Sequence, residues 1–210
     1  MKVLAINGSP RSGGNTEILL RKALEPLEAA GWTTELRQIG GKPVRGCLAC
    51  FKCIERKNLR CVIENDGVNE LLQAMVEADA ILLGSPTFFA DLTSEMKALI
   101  DRAGFVALAN DGALRGKIGA AVVAVRRGGA IHVFDSINHL FQISGMIIPG
   151  SLYWNVGVGQ HKGQVLEDEE AMRNMDHLGR TIAWLGLGLK AAAETEPFPW
   201  YQGPSVEACD

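Results

Sequence analysis

The chain has no surplus of positive charge. Its 21 Lys and Arg are outnumbered by 24 Asp and Glu, for a net charge of −3, so there is no basic field to mark a nucleic-acid partner. Long apolar runs are missing as well. Ile118 to Val125 and the glycine-broken Thr181 to Leu189 are the longest uncharged apolar stretches, far short of the ~20 residues of a spanning helix. No basic amphipathic stripe marks a membrane surface, and no signal-peptide pattern precedes the first strand. A cytoplasmic protein is expected. None of His132, His139, His161 and His177 stands at a spacing that pairs it with a nucleophile or a metal, so no histidine is given a catalytic role. No low-complexity linker divides the 210 residues, and one domain is expected over residues 1–193, followed from Glu194 by an extended tail containing Pro197, Pro199 and Pro204.

Two common nucleotide loops are also absent. A Walker loop needs Gly-Lys before Ser or Thr, yet Gly13 is followed by Gly14. The dinucleotide fingerprint needs Gly-x-Gly-x-x-Gly, yet Gly8 is followed by Ser9 and Pro10. What is there instead is Ile6-Asn7-Gly8-Ser9-Pro10-Arg11-Ser12-Gly13-Gly14-Asn15-Thr16, between an apolar strand at Val3–Ile6 and a helix from Thr16 to Ala30 that aligns Leu20, Leu24 and Leu27. A helix N-terminus leaves N–H groups without partners and favours an anion even without a lysine. Ser9, Ser12, Asn15 and Thr16 add side-chain donors. The loop therefore suits the phosphate of a flavin mononucleotide, as in flavodoxin-like folds; standing alone, it could also be a plain Gly-Ser turn.

Further along, Thr33 to Ile39 is polar enough for an edge strand, and 40–65 is a long irregular stretch. Asp66 is placed to cap a helix aligning Val68, Leu71, Leu72 and Met75. Ala80 to Gly84 is a third strand, and Met96, Leu99 and Ile100 mark a helix ending at Gly104. Ile118 to Val125 is a fourth strand, and Val133 to Ser144 a helix. Met146 to Leu152 is a fifth strand weakened by Pro149, and Asp168 opens a last helix carrying Met172, Met175, Ile182 and Leu189. This alternation predicts an α/β fold, a doubly wound five-stranded parallel sheet in three layers (α/β/α), with ligands at the carboxyl ends of its strands. The loops Ser9–Thr16, Ser85–Asp91 and Arg126–Gly129 are then expected on one rim. The second offers Thr87, Phe88 and Phe89 to a flavin ring. The third offers Arg126 and Arg127, with Gly128 and Gly129, as cationic and N–H donors that would favour the reduced anion. Taken singly, the two phenylalanines could be core residues and the two arginines a solvated pair.

Gly8-Ser9-Pro10-Arg11 through Asn15-Thr16, with Ser85-Pro86-Thr87-Phe88 through Lys97 and Asp101-Arg102, resembles the NADPH-dependent FMN reductase and iron–sulfur flavoprotein family. The resemblance reaches to about Leu189. It implies a flavodoxin-like fold, bound FMN, NAD(P)H as co-substrate, and homodimers or homotetramers with the flavin near a subunit interface. It also implies phosphate contacts from Ser9, Arg11, Asn15 and Thr16, and a ring bordered by Pro86, Thr87, Phe88 and Phe89. Phe88 stands where the family commonly has tyrosine, so a role needing that hydroxyl is not carried over.

Cys47, Cys50, Cys53 and Cys61 are separated by two, two and seven residues. Four soft thiolates suit a [4Fe–4S] cluster or zinc, and the tight triple spacing favours the cluster, since zinc sites usually come as two separated pairs. Free thiols and structural zinc stay open. Lys42, Arg45, Lys52, Arg56, Lys57 and Arg60 surround these cysteines and could offset a cluster's charge, receive an acidic electron carrier, bind the 2′-phosphate of NADPH, or simply be solvated. Cys209 lies beyond the motif and is not counted as a ligand. These features add up to an FMN-dependent oxidoreductase exchanging electrons with small-molecule or protein partners; the alternative is a carrier without a substrate of its own.

Overall fold

The computed structural model describes residues 1–196 together with Phe198 and Pro199. Five parallel strands, β1 (Lys2–Asn7), β2 (Thr33–Gln38), β3 (Ala80–Pro86), β4 (Ile118–Val125) and β5 (Val156–Val158), lie in the order β2-β1-β3-β4-β5. Among the described residues α1 (Asn15–Ala29), α3 (Val68–Glu77), α4 (Ser94–Ala109), α5 (Ala130–Ile143) and α6 (Glu169–Thr195) cover the sheet, and the short α2 (Lys52–Arg56) lies against α4. Successive side chains of a strand point to opposite faces, and each face here has its own core. Leu4 and Ile6 of β1 and Ile81 and Leu83 of β3 pack under α3, α4 and α5, while Val3, Ala5, Ala80 and Leu82 pack under α1 and α6. β1, β3 and β4 are buried on both sides, which is why they read as unbroken apolar runs. The edge strand β2 is half-buried and carries a Lys2–Glu35–Arg37 ion network. α6 comes so close to α1 that a Cβ on Gly179 would lie 2.2 Å from the Ala23 carbonyl.

The structure corrects the expected elements in five places. Met146–Leu152 is not the fifth strand. Its first residues are spent at the start of β4, where Ile147 makes an isolated bridge to Ile118 and Met146 is buried, while Leu152 at its end is exposed. The chain leaves the sheet there and rejoins it at Val156, pairing with Val123–Val125 at the carboxyl end of β4. Gly104 lies inside α4, where the Leu140 side chain packs over it. Asp66 stands one residue before the N-cap Gly67, and its carboxylate accepts the Val68 N–H (3.3 Å) while also pairing with Arg102. The irregular 40–65 stretch contains the short helix α2. Glu194 and Thr195 belong to the last turn of α6; the rest of the expected extended tail, Phe198 and Pro199 apart, lies outside the described residues. Among the described residues no helix is long and apolar enough to cross a membrane.

Candidate functional site

A cleft of 430 Å³ opens at the carboxyl ends of the strands, bounded by the loops after β1, β3, β4 and β5. The β1 loop is fixed by its own hydrogen bonds. Buried Asn7 accepts the Ser9 N–H (2.9 Å), Ser9 Oγ the Arg11 N–H (3.2 Å), and the Arg11 carbonyl the Gly14 N–H (3.1 Å). Gly40 lets the chain after β2 pass directly beneath; a Cβ there would lie 2.3 Å from the Gly8 carbonyl. α1 starts at Asn15 with no side-chain cap, so the first-turn N–H groups at the cleft have no acceptor inside the helix. Thr93 joins this loop to the next. Its hydroxyl donates to the Gly8 carbonyl (2.9 Å), caps α4 at Met96, and its N–H reaches Ser85 Oγ (3.1 Å).

Of the residues expected at the site, Ser9, Arg11, Asn15, Thr16, Pro86, Thr87, Phe88 and Arg126 line this one cleft; Ser12, Phe89, Arg127, Gly128 and Gly129 do not. Phe89 points into solvent. It stands with Ala90 at the tip of a tight turn closed by the mutual hydrogen bonds of Phe88 and Asp91, both tip residues having left-handed backbone (φ 47° and 66°). Gly129, the N-cap of α5 at φ 88°, packs against that turn, a Cβ on it falling 2.9 Å from the Ala90 Cα. The end of the β4 loop thus supports the turn, while Arg126 alone of its four residues faces the cleft.

Asn15 behaves differently from the expectation. Its amide donates to the Gly159 and His161 carbonyls (3.0 Å each) and accepts the Gly163 N–H (2.9 Å). What Asn15 can still offer an anion is its main-chain N–H. The residues so clamped, Gly159, Gln160, His161 and Lys162, form a fourth wall that sequence reasoning missed. Lys162 Nζ hangs over the β1 loop, 3.2 Å from where a Cβ on Gly13 would be. The cleft therefore holds three cations, Arg11, Arg126 and Lys162, beside a helix N-terminus. Glu17, in the first turn of α1, accepts the Gly13 N–H (2.7 Å). That bond, with Arg21 alongside and against the cost of burial, keeps its carboxyl below the ordinary range.

On the opposite wall Thr87 Oγ1 is buried and has no hydrogen-bond partner in the protein, a costly state unless something in the cleft completes it. Cationic donors, an open helix end, an unpartnered hydroxyl and the aromatic Phe88 fit the phosphate and ring of FMN.

All four cysteines of the motif line a second, apolar cavity, together with Phe51, Arg102 and Phe105. Cys47 and Cys50 are exposed, Cys53 and Cys61 half-buried, and burial pushes the Cys53 thiol up. The loop is curled by left-handed backbone at Ala49, Phe51, Lys57 and Leu59 (φ 44–57°), and the Ala49 N–H reaches Cys47 Sγ (3.4 Å). Buried Asn69 holds the other end, accepting the Cys61 N–H (2.8 Å) and donating to the Cys61 carbonyl (3.0 Å). Among the described residues no three His, Cys, Asp or Glu are gathered closely enough for a single metal ion. Four cysteine sulfurs on one apolar cavity are a donor set whose chemistry suits soft-metal or iron–sulfur ligation.

Comparison with known proteins gives three findings. The family described as NADPH-dependent FMN reductase matches residues 1–161. An iron-sulfur flavoprotein of Methanocaldococcus jannaschii is 36% identical over 190 residues, covering 87% of this chain and 96% of its own, and one of Methanosarcina thermophila is 33% identical over 186 residues, covering 85% and 95%. Among solved structures, a flavodoxin from the domain Archaea superimposes with a TM-score of 0.58 at 18% identity, covering 89% of this chain and 99% of that one, which speaks to the fold.

Proposed function

This chain belongs to the NADPH-dependent FMN reductase family, and on that premise we propose that its FMN lies in the cleft between Ser9 and Lys162, with a [4Fe–4S] cluster on Cys47, Cys50, Cys53 and Cys61. The protein is an FMN-dependent oxidoreductase with a flavodoxin-like fold; the sites, the cluster and the partners are our assignments. Bound flavin supplies two-electron and one-electron chemistry. The first-turn N–H groups of α1, with Arg11 and Lys162, hold the phosphate. Thr87 donates to or accepts from the ring edge, Phe88 packs on it, and Arg126 brings positive charge to the end where reduction deposits negative charge. Asn15 keeps the β5 loop closed over the site.

The observation that carries this reading is the uncapped N-terminus of α1 opening onto the same cleft as Arg11, Arg126 and Lys162. NAD(P)H is the assigned donor, and a small molecule or another redox protein the acceptor. A homodimer or homotetramer is assigned as well, supported by exposed Leu152, Tyr153, Trp154 and Val158 around edge strand β5, beside the cleft. The reduced thiols of the motif suit a cytoplasmic setting.

An anaerobic absorption spectrum with metal analysis tests both cofactors together. The expected result is one FMN per chain with roughly four iron and four acid-labile sulfide. Protein that neither carries nor takes up FMN overturns the cleft assignment. One zinc, or no metal, with FMN present overturns the cluster and leaves the flavin site standing.

A further inference from the structure

Resting on the cluster assignment above, we infer that Arg102 is a positioning residue for that centre: it clamps both ends of the cysteine loop to α4 and, through its Nε–H on the Cys61 sulfur, raises the centre's reduction potential.

Arg102 heads the fully buried large side chains among the described residues. A guanidinium cannot shed its proton, so it can be buried only where its donors find acceptors. Here the acceptors come almost entirely from the cysteine segment. Nη1 donates to the Arg45 carbonyl (3.0 Å) and to Asp66, Nη2 to the Ile63 carbonyl (2.8 Å), and Nε to Cys61 Sγ (3.3 Å). Arg45 stands two residues before the first cysteine of the motif and Ile63 two residues after the last. A single side chain thus holds both ends of the loop. Asp66 closes the same ring by accepting the Arg45 N–H (3.2 Å).

A structural clamp would need only carbonyls and the carboxylate. Sulfur is a weak acceptor when neutral and a strong one as a thiolate, so aiming Nε at Cys61 fits a sulfur that carries charge. The six basic residues around the loop, Lys42 to Arg60, are partly paired or exposed to screening water; Arg102 is itself fully buried and acts on the half-buried Cys61 sulfur with less screening than they do. A donor on a ligating sulfur draws electron density away from the iron it serves and favours the more negative, reduced form. The step affected is the entry of one electron, with no bond made or broken.

The test is a potentiometric titration of anaerobically reconstituted protein with dithionite as the electron source, following absorbance and low-temperature electron spin resonance. Arg102→Lys keeps the cation and the ion pair but gives up the Nε–H. A double variant, Asp66→Asn with Arg102→Met, removes both partners and leaves no lone buried charge. The double variant is expected to load iron, sulfide and FMN as the wild type does, with its one-electron equilibrium shifted about tenfold toward oxidation, equivalent to 59 mV. Arg102→Lys is expected to shift the same way by less, and the FMN potential to stay put. A loaded double variant, or a loaded Arg102→Lys protein if the double variant does not load, with the wild-type cluster potential overturns the inference. So does failure of both variants to load while FMN is retained, since Arg102 would then serve assembly alone. Wild-type protein that takes up no iron and sulfide overturns instead the cluster assignment, and that result is visible without any substitution.

Discussion

At the scale of single residues, what separates a ligand from its scaffold here is where each polar atom's hydrogen bonds go. Thr87 has an orphaned hydroxyl on the cleft wall, whereas the Asn15 amide is used up on the 159–163 backbone. Asn15→Asp removes two donations and sets a carboxylate oxygen against the carbonyls of Gly159 and His161, with added repulsion toward a phosphate. At about 0.5–1.5 kcal/mol per lost bond, FMN affinity should fall roughly tenfold or more, measured by quenching of flavin fluorescence. An unchanged dissociation constant would mean that the β5 loop does not contribute to holding FMN. Sequence reasoning found Asn15 and misjudged its task, because side-chain amides that could serve a phosphate serve a peptide loop equally well. Phe89 was misplaced for a related reason. Adjacent to a residue that does face the cleft, it is turned outward by a two-residue turn that no run of residue types announces.

At the scale of elements, that turn is the clearest anomaly. Two-residue hairpin tips with positive φ at both positions ordinarily take Asn-Gly, and here they hold Phe89 and Ala90. A side chain in the left-handed region costs about 1–2 kcal/mol per residue. In the single chain the Phe89 side chain has no burial to lose. Replacing Phe89-Ala90 by Asn-Gly should therefore raise unfolding stability by about 1–3 kcal/mol in urea melts. A drop would show that Phe89 is buried against another copy of the chain. The β5 region marks the limit of legibility among the elements. β1, β3 and β4 were readable because burial on both faces makes continuous apolar runs. A three-residue strand, Val156-Gly157-Val158, has no such signature, while the apolar Met146–Ile148 drew the assignment to itself. Misplacing β5 hid Gly159 to Lys162, the fourth wall of the cleft.

At the scale of the whole molecule, a parallel sheet with two independent cores brings four loop tips to one rim, and α4 links that rim to the cysteine loop. Thr93 at its start holds the β1 loop, and Arg102, two turns on, holds the cysteine segment. The doubly wound parallel fold was legible from strand–helix alternation, though the place of its fifth strand was not, and the cleft loop after β1 from its glycines and hydroxyls. The convergence of four thiols on one cavity was visible only as spacing, since their packing depends on long-range partners such as Asn69 and Arg102.

Titrating flavin-free protein with FMN and with riboflavin, which differ only in the phosphate, decides whether the loop from Ser9 to Thr16 with Lys162 above it is a phosphate cradle. FMN is expected to bind at least ~100-fold more tightly, about 2.7 kcal/mol at 1.36 kcal/mol per tenfold, and Lys162→Met to narrow that gap while leaving riboflavin affinity unchanged. Equal affinities for the two flavins would mean that this loop does not hold the phosphate.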